Sequence, residues 1–154
     1  MNGDSIVMKH VGDGSVRTVE QMLSELEMLM GYYERRPGLG VWAIELKNSG
    51  ELVGAGGLTF NKDRENIELG YRFLTDHWNK GYATEVAKAL LRYAFQKLKL
   101  TKVIASSHIE NIGSRKVLEK VGMKQIGTGM EFNCMQAYYE ITWEDYSSTS
   151  DENH

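Results

Sequence analysis

The chain has 154 residues, 42% hydrophobic and 25% charged, which is the material of one domain with an ordinary core. A formal net charge of −3 with dispersed Lys and Arg excludes a basic nucleic-acid footprint and favours a cationic over a polyanionic substrate, and no apolar run approaches a membrane span. Cys134 is the only cysteine and the start shows no basic segment leading into an apolar one, so the expected setting is a reducing cytoplasm without a signal peptide.

Read in chain order, the first predicted element is a helix from Thr18, where Thr18 and Gln21 have capping-box spacing. Met22, Leu23, Leu26, Met30 and Tyr33 lie along one side, and the helix ends before Pro37. VWAIEL, KNSGE and LVGAGGLTF read as strand, turn and strand, with Ser49 and Gly50 supplying the turn chemistry. In IELGYRF, apolar Ile67, Leu69, Tyr71 and Phe73 alternate with Glu68, Gly70 and Arg72, as in a strand with one buried face. A short polar turn then leads into a helix from about Tyr82 to Leu98. KVIASSHI is a strand, followed by a helix capped near Asn111 and stopped by Gly122. MKQIGT and MQAYYEITWEDY read as the last strands. The polar end, SSTSDENH, reads as a disordered tail over 147–154, leaving a single domain over 1–146. The alternation predicts a mixed α/β sheet with helices on both faces.

The stretch HWNKGYATEVAKALLRYAF carries the chemistry. A strand, a tight glycine-bearing turn and an amphipathic helix in that order aim the free N–H groups of the first helical turn, and the positive end of its dipole, at one point. Phosphate oxygens fit there. The turn WNKGYA resembles the pyrophosphate-binding loop of the GNAT superfamily of acyl-CoA N-acyltransferases, Q/R-x-x-G-x-G/A, with Gly81 and Ala83 at the small positions. ENIGSRKVLEKVGM resembles the second CoA-binding element of that superfamily, N-x-x-S-x-x-x-L-E-K-x-G-F, with Asn111, Ser114, Glu119, Lys120 and Gly122 matching. The likeness runs from about Val41 to Tyr146 and is closest to the RimJ/RimL-like branch.

The resemblance implies a mixed, mostly antiparallel central sheet whose middle strands splay where the cofactor enters, and acetyl transfer from acetyl-CoA to an amine. The strand that normally opens the family's fold is not found: either the sheet lacks this edge strand or MNGDSIVM supplies a poor substitute. An uncovered edge would favour a homodimer. Main-chain N–H groups of Asn79, Lys80, Gly81, Tyr82, Ala83 and Thr84, in the turn that Trp78 opens, are expected to hold the pyrophosphate. Polar main-chain groups of Tyr71, Arg72 and Phe73, freed by a bulge, are expected to pair with the pantetheine amides and to offer an N–H to the thioester oxygen. Asn111 matches the family residue that bonds the pantetheine arm and also reads as a plain N-cap. Lys80 and Arg115 read either as phosphate contacts or as solvated charges.

An alkylammonium with a pKa of about 10.4 must lose a proton before it attacks. Glu68 resembles the strand glutamate that serves as base in parts of the superfamily; equally, it reads as a strand carboxylate pairing with Arg72. Glu110, Glu131 and His108 are the other candidates. The tyrosine acid common in the superfamily is replaced by Leu118, and Ser114 matches the helix serine proposed as proton donor in the RimL-like branch, or serves as a local hydrogen-bonding residue of the first turn. Tyr138 or Tyr139 would line the acceptor pocket, with Tyr139 the better candidate for the core. The histidines show no metal-ligand spacing, so no metal is expected, and Cys134 has no motif around it that would make it a nucleophile. The acceptor implied is a protein N-terminus or a small amine; the alternative from another class is a catalytically silent CoA-binding module.

Overall fold

The computed structural model describes residues 18–35, 37–61 and 66–152; the segment MNGDSIVM lies outside them. Helix α1, Val19–Arg35, begins with the expected capping box: Gln21 N–H donates to Thr18 Oγ1 at 3.1 Å and Thr18 N–H to Gln21 Oε1 at 2.8 Å. Of the apolar side, Leu23 and Met30 are 56% and 60% exposed. The side chains of Met22, Leu26 and Tyr33 lie outside the described residues.

Strands β1, Gly40–Glu45, and β2, Leu52–Phe60, form the expected hairpin. Its turn is closed by Gly50 N–H to Leu46 O at 2.8 Å and by Glu51 N–H to Ser49 Oγ at 3.2 Å, with Gly50 at φ +71°. β3, Ile67–Phe73, pairs antiparallel with β2. After a 3-10 turn at Thr75–His77 comes α2, Tyr82–Arg92, which widens into a π turn over Tyr93–Lys97. β4, Lys102–His108, leads to α3, Ile112–Lys120. β5, Lys124–Glu131, and β6, Cys134–Thr142, are joined at Phe132 and Asn133, whose φ values of 54° and 60° fit a two-residue hairpin turn.

The six strands run β1-β2-β3-β4-β6-β5, antiparallel except for β3 beside β4. One face holds the core. Leu58, Leu69, Val103, Tyr139 and Ile141 from the sheet meet Ala87, Leu91, Ala94 and Phe95 of α2 and its π turn, and Leu118 of α3. The helical spacing of 87, 91, 94 and 95 turns one stripe of α2 inward. Each such large apolar side chain contributes about 1.5–3 kcal/mol by leaving water.

The end of the chain departs from expectation. The last strand stops at Thr142, not Tyr146, and residues Trp143–Glu152 form helix α4 instead of a loose tail. Thr142 Oγ1 accepts from Asp145 N–H at 3.3 Å as a cap. Trp143 and Tyr146 then settle on the buried ring of Phe95, with centroids 6.1 and 4.9 Å away. These aromatic contacts anchor a segment whose polar composition alone argues for none.

Candidate active site

β3 and β4 share a single ladder position, Glu68 opposite Ile104. Beyond it the strands part, and the end of β3 from Tyr71 to Phe73 borders the gap. The expected bulge in β3 is absent, since its register with β2 runs unbroken from Ile67 to Phe73. Divergence of β4, rather than a bulge, opens the cleft beside this end of β3. One main-chain group there is taken internally: the Trp78 indole N–H donates to Phe73 O at 2.9 Å, tying the turn back to the strand.

The turn itself needs two left-handed residues, Asn79 at φ 59° and Gly81 at φ 82°. Asn and Gly are the types that tolerate this conformation. The first bond of α2 runs from Glu85 N–H to Gly81 O at 3.1 Å. The N–H groups of Tyr82, Ala83 and Thr84 therefore precede the helical ladder and are open to an outside acceptor. A Cβ placed on Gly81 would meet no atom within 4 Å, so open space lies in front of the turn. A diphosphate fits this arrangement of donors, space and helix dipole.

A cleft of about 700 Å³ runs from this turn to the start of α3. Every residue expected at the cofactor lines it except Lys80, which is exposed outside its wall, and Arg115. Asn111 accepts from Ser114 N–H through Oδ1 at 3.2 Å, so it is an N-cap that also faces the cleft. Tyr71 Oη lies 3.3 Å from Ser114 Oγ and 3.4 Å from Ser114 O, joining β3 to α3 across the cleft floor. Burial pushes the Tyr71 phenol above its ordinary pKa, an effect the Ser114 hydrogen bond opposes.

Sequence reasoning missed His77 as part of this wall. Its Nε2 is 3.4 Å from Glu51 Oε1, and its buried Nδ1 finds no partner among the described residues. The signal was faint because His77 lies in a 3-10 turn whose course the sequence does not reveal. Arg115, read as a phosphate contact or a solvated charge, does not line the cleft. It donates to Ile109 O at 3.0 Å, to Tyr139 Oη at 3.1 Å and to Gln125 Oε1 at 3.3 Å, a structural clasp away from the cleft.

Glu68 does not line the cleft; it sits on the sheet face opposite the core, where Ser106 Oγ donates to its Oε1 at 2.9 Å. Tyr138 of β6 pairs with Ser106 of β4 and shares that face, while Tyr139 is buried in the core. Partial burial pushes the Tyr138 phenol upward, with further contributions from the Glu131 charge, its hydrogen bond to Glu131, and Glu68. Of the other base candidates, His108 Nδ1 accepts from Glu110 N–H at 3.1 Å as a local cap, and Glu110 borders the cleft. Leu118 is fully buried and apolar. Among the described residues no group of His, Cys, Asp and Glu is arranged to hold a metal, and no helix is long and apolar enough to cross a membrane.

This geometry defines an acyl-CoA transferase fold. The acetyltransferase (GNAT) domain family matches residues 1–124, and the chain belongs to that family as an acyltransferase enzyme. It is 32% identical over 126 residues to the uncharacterized N-acetyltransferase YnaD of Bacillus subtilis, an alignment covering 80% of this chain and 69% of that one. A GNAT-family acetyltransferase structure from Bacillus anthracis superposes with a TM-score of 0.78 at 31% identity, over 93% of this chain and 85% of that one. The spermidine N-acetyltransferase of Vibrio cholerae, solved in complex with CoA and spermine, shares the fold at 19% identity, with a TM-score of 0.76 over 95% and 88% of the two chains.

Proposed function

We propose that this domain transfers an acetyl group from acetyl-CoA to a primary amine by direct attack in a ternary complex, as a member of the RimJ/RimL-like branch. The observation that carries the reading is the single cleft in which the open N–H groups of Tyr82, Ala83 and Thr84, the parted end of β3 and the start of α3 converge. The α2 turn holds the diphosphate. The edge of β3 from Tyr71 to Phe73 takes the pantetheine amides, with Asn111 facing the same arm, and an N–H of that edge stabilises the thioester oxygen as charge develops on it. Acetyl-CoA supplies the activated acyl group; the chain supplies position and proton management.

Glu68 is the base of this reading, and it works through water because its carboxylate stands outside the cleft. Glu68, Glu131 and Tyr138 share one face around the acceptor approach and suit a cationic amine. A small amine is favoured over a protein N-terminus, in keeping with the spermidine N-acetyltransferase among the structural neighbours. β1 and β5 are the edges of the described sheet, and pairing along one of them would make a homodimer, which light scattering detects.

The experiment mixes pure protein with acetyl-CoA and a panel of polyamines, amino acids and N-terminal peptides, and follows free thiol. Turnover with an amine supports the enzyme. Thermal stabilisation by acetyl-CoA without turnover on any acceptor indicates a silent binding module, and the absence of both overturns the CoA reading.

A further inference from the structure

We infer that the Tyr71 hydroxyl is the proton reservoir for the leaving thiolate and delivers its proton through Ser114; the inference rests on the acetyltransferase reading above. Tyr71 reaches from β3 to the first turn of α3, where its Oη stands 3.3 Å from Ser114 Oγ, and both residues line the cleft. The separation exceeds the roughly 2.7–2.8 Å of a tight hydroxyl pair. Catalytic hydrogen bonds are often long in a free enzyme and shorten when substrate closes the site.

Three features make the pair more capable than either hydroxyl alone. The Ser114 backbone is held, because its N–H is committed to Asn111 Oδ1, and its Oγ meets Tyr71 Oη in the cleft wall. A serine hydroxyl by itself is a feeble acid, whereas a phenol of pKa about 10 lies close to a thiol of pKa about 8.5. The buried position of Tyr71 keeps its proton in place through neutral pH. One turn further along α3, Leu118 offers no proton. The other titratable or charged groups lining the cleft are Arg72, His77, Tyr82 and Glu110.

The step balances as follows. The amine lone pair forms the C–N bond, and the C–S bond breaks with its electron pair passing to sulfur. Ser114 Oγ gives its proton to that sulfur and takes the Tyr71 proton in exchange. The tyrosinate regains a proton from water, while the proton lost by the amine leaves through Glu68 or solvent.

The test compares wild type, Tyr71→Phe, Ser114→Ala and the double variant for thiol release at saturating acetyl-CoA with the best amine of the panel. Circular dichroism and the thermal shift given by acetyl-CoA are recorded in parallel. The expected result for Tyr71→Phe is a kcat lower by about ten- to a hundredfold, within the reach of proton-transfer catalysis. Its KM for acetyl-CoA and its thermal shift stay at wild-type values, its solvent deuterium isotope effect on kcat changes, and the double variant is no slower than the slower single one. The inference is overturned if Tyr71→Phe keeps its kcat, if the two losses multiply, or if kcat falls together with acetyl-CoA binding, which would mark a packing role. Wild type without thiol release overturns the acetyltransferase reading itself and this inference with it; a normal wild type with an unaffected Phe variant overturns this inference alone.

Discussion

Ser106 Oγ donates a hydrogen bond to Glu68 Oε1 at 2.9 Å, and the two residues come from strands that touch at one ladder position. The bond fixes the carboxylate beside the place where the sheet opens. Glu68→Gln keeps the shape and the acceptor for Ser106 but removes the basic oxygen. The expected outcome is a kcat about a hundredfold lower at neutral pH with the acetyl-CoA thermal shift unchanged. Wild-type turnover by the Gln variant across pH would remove Glu68 as base.

Gly81 separates conformation from space. Its φ of 82° means that Gly81→Ala costs about 1 kcal/mol of left-handed strain, while its methyl group meets nothing within 4 Å. That variant should still be stabilised by acetyl-CoA. Gly81→Glu adds a carboxylate in front of the N–H groups that would receive phosphate, and its thermal shift with acetyl-CoA should vanish. Equal binding by both variants would show that the turn does not hold the diphosphate.

Arg115 is the inverse case. Its three hydrogen bonds clasp α3 to the loop after β4 and to β5 and β6, so Arg115→Ala should lower stability by about 2 kcal/mol in chemical denaturation. The affinity of the folded variant for acetyl-CoA should match wild type. A selective loss of affinity without loss of stability would restore a phosphate contact.

Tyr71 gives an alkaline signature. Its folded pKa is raised above the ordinary 10.0, chiefly by burial, so between those two values the native state keeps a proton that the unfolded chain has released. Stability linked to this group is complete below the ordinary value and declines as pH climbs toward the folded one. Tyr71→Phe should flatten the fall in unfolding free energy above about pH 10, measured by urea titration at successive pH values. An unchanged slope would show that the phenol is not buried in solution.

The capping box at Thr18, the hairpin around Ser49 and Gly50, the alternation of β3 and the Asn111 cap were all legible, because each depends on residues close in sequence. The glycine turn and the helix start at Tyr82 were legible for the same reason, since both are local. Helix α4 was not, because what holds Trp143 and Tyr146 is the ring of Phe95, remote along the chain and brought near only by the finished sheet. The bulge expected in β3 failed in a related way: the opening beside the strand comes from where a different strand goes. Arg115 looked like a solvated or phosphate-seeking charge because its partners Ile109, Gln125 and Tyr139 converge only in three dimensions. The Tyr71 hydroxyl was hidden behind an apolar pattern that assigns the ring to a face but says nothing about what its tip touches.

β3 and β4 share one ladder position, Glu68 opposite Ile104, so the sheet has a seam there that the helices and the common core bridge. A ligand lying along the seam acts as a rivet, and the free energy of its binding is added to the resistance of the whole molecule against coming apart. Amide exchange in the ligand-free protein should accordingly be fastest along this seam, and slow there first when the donor is added.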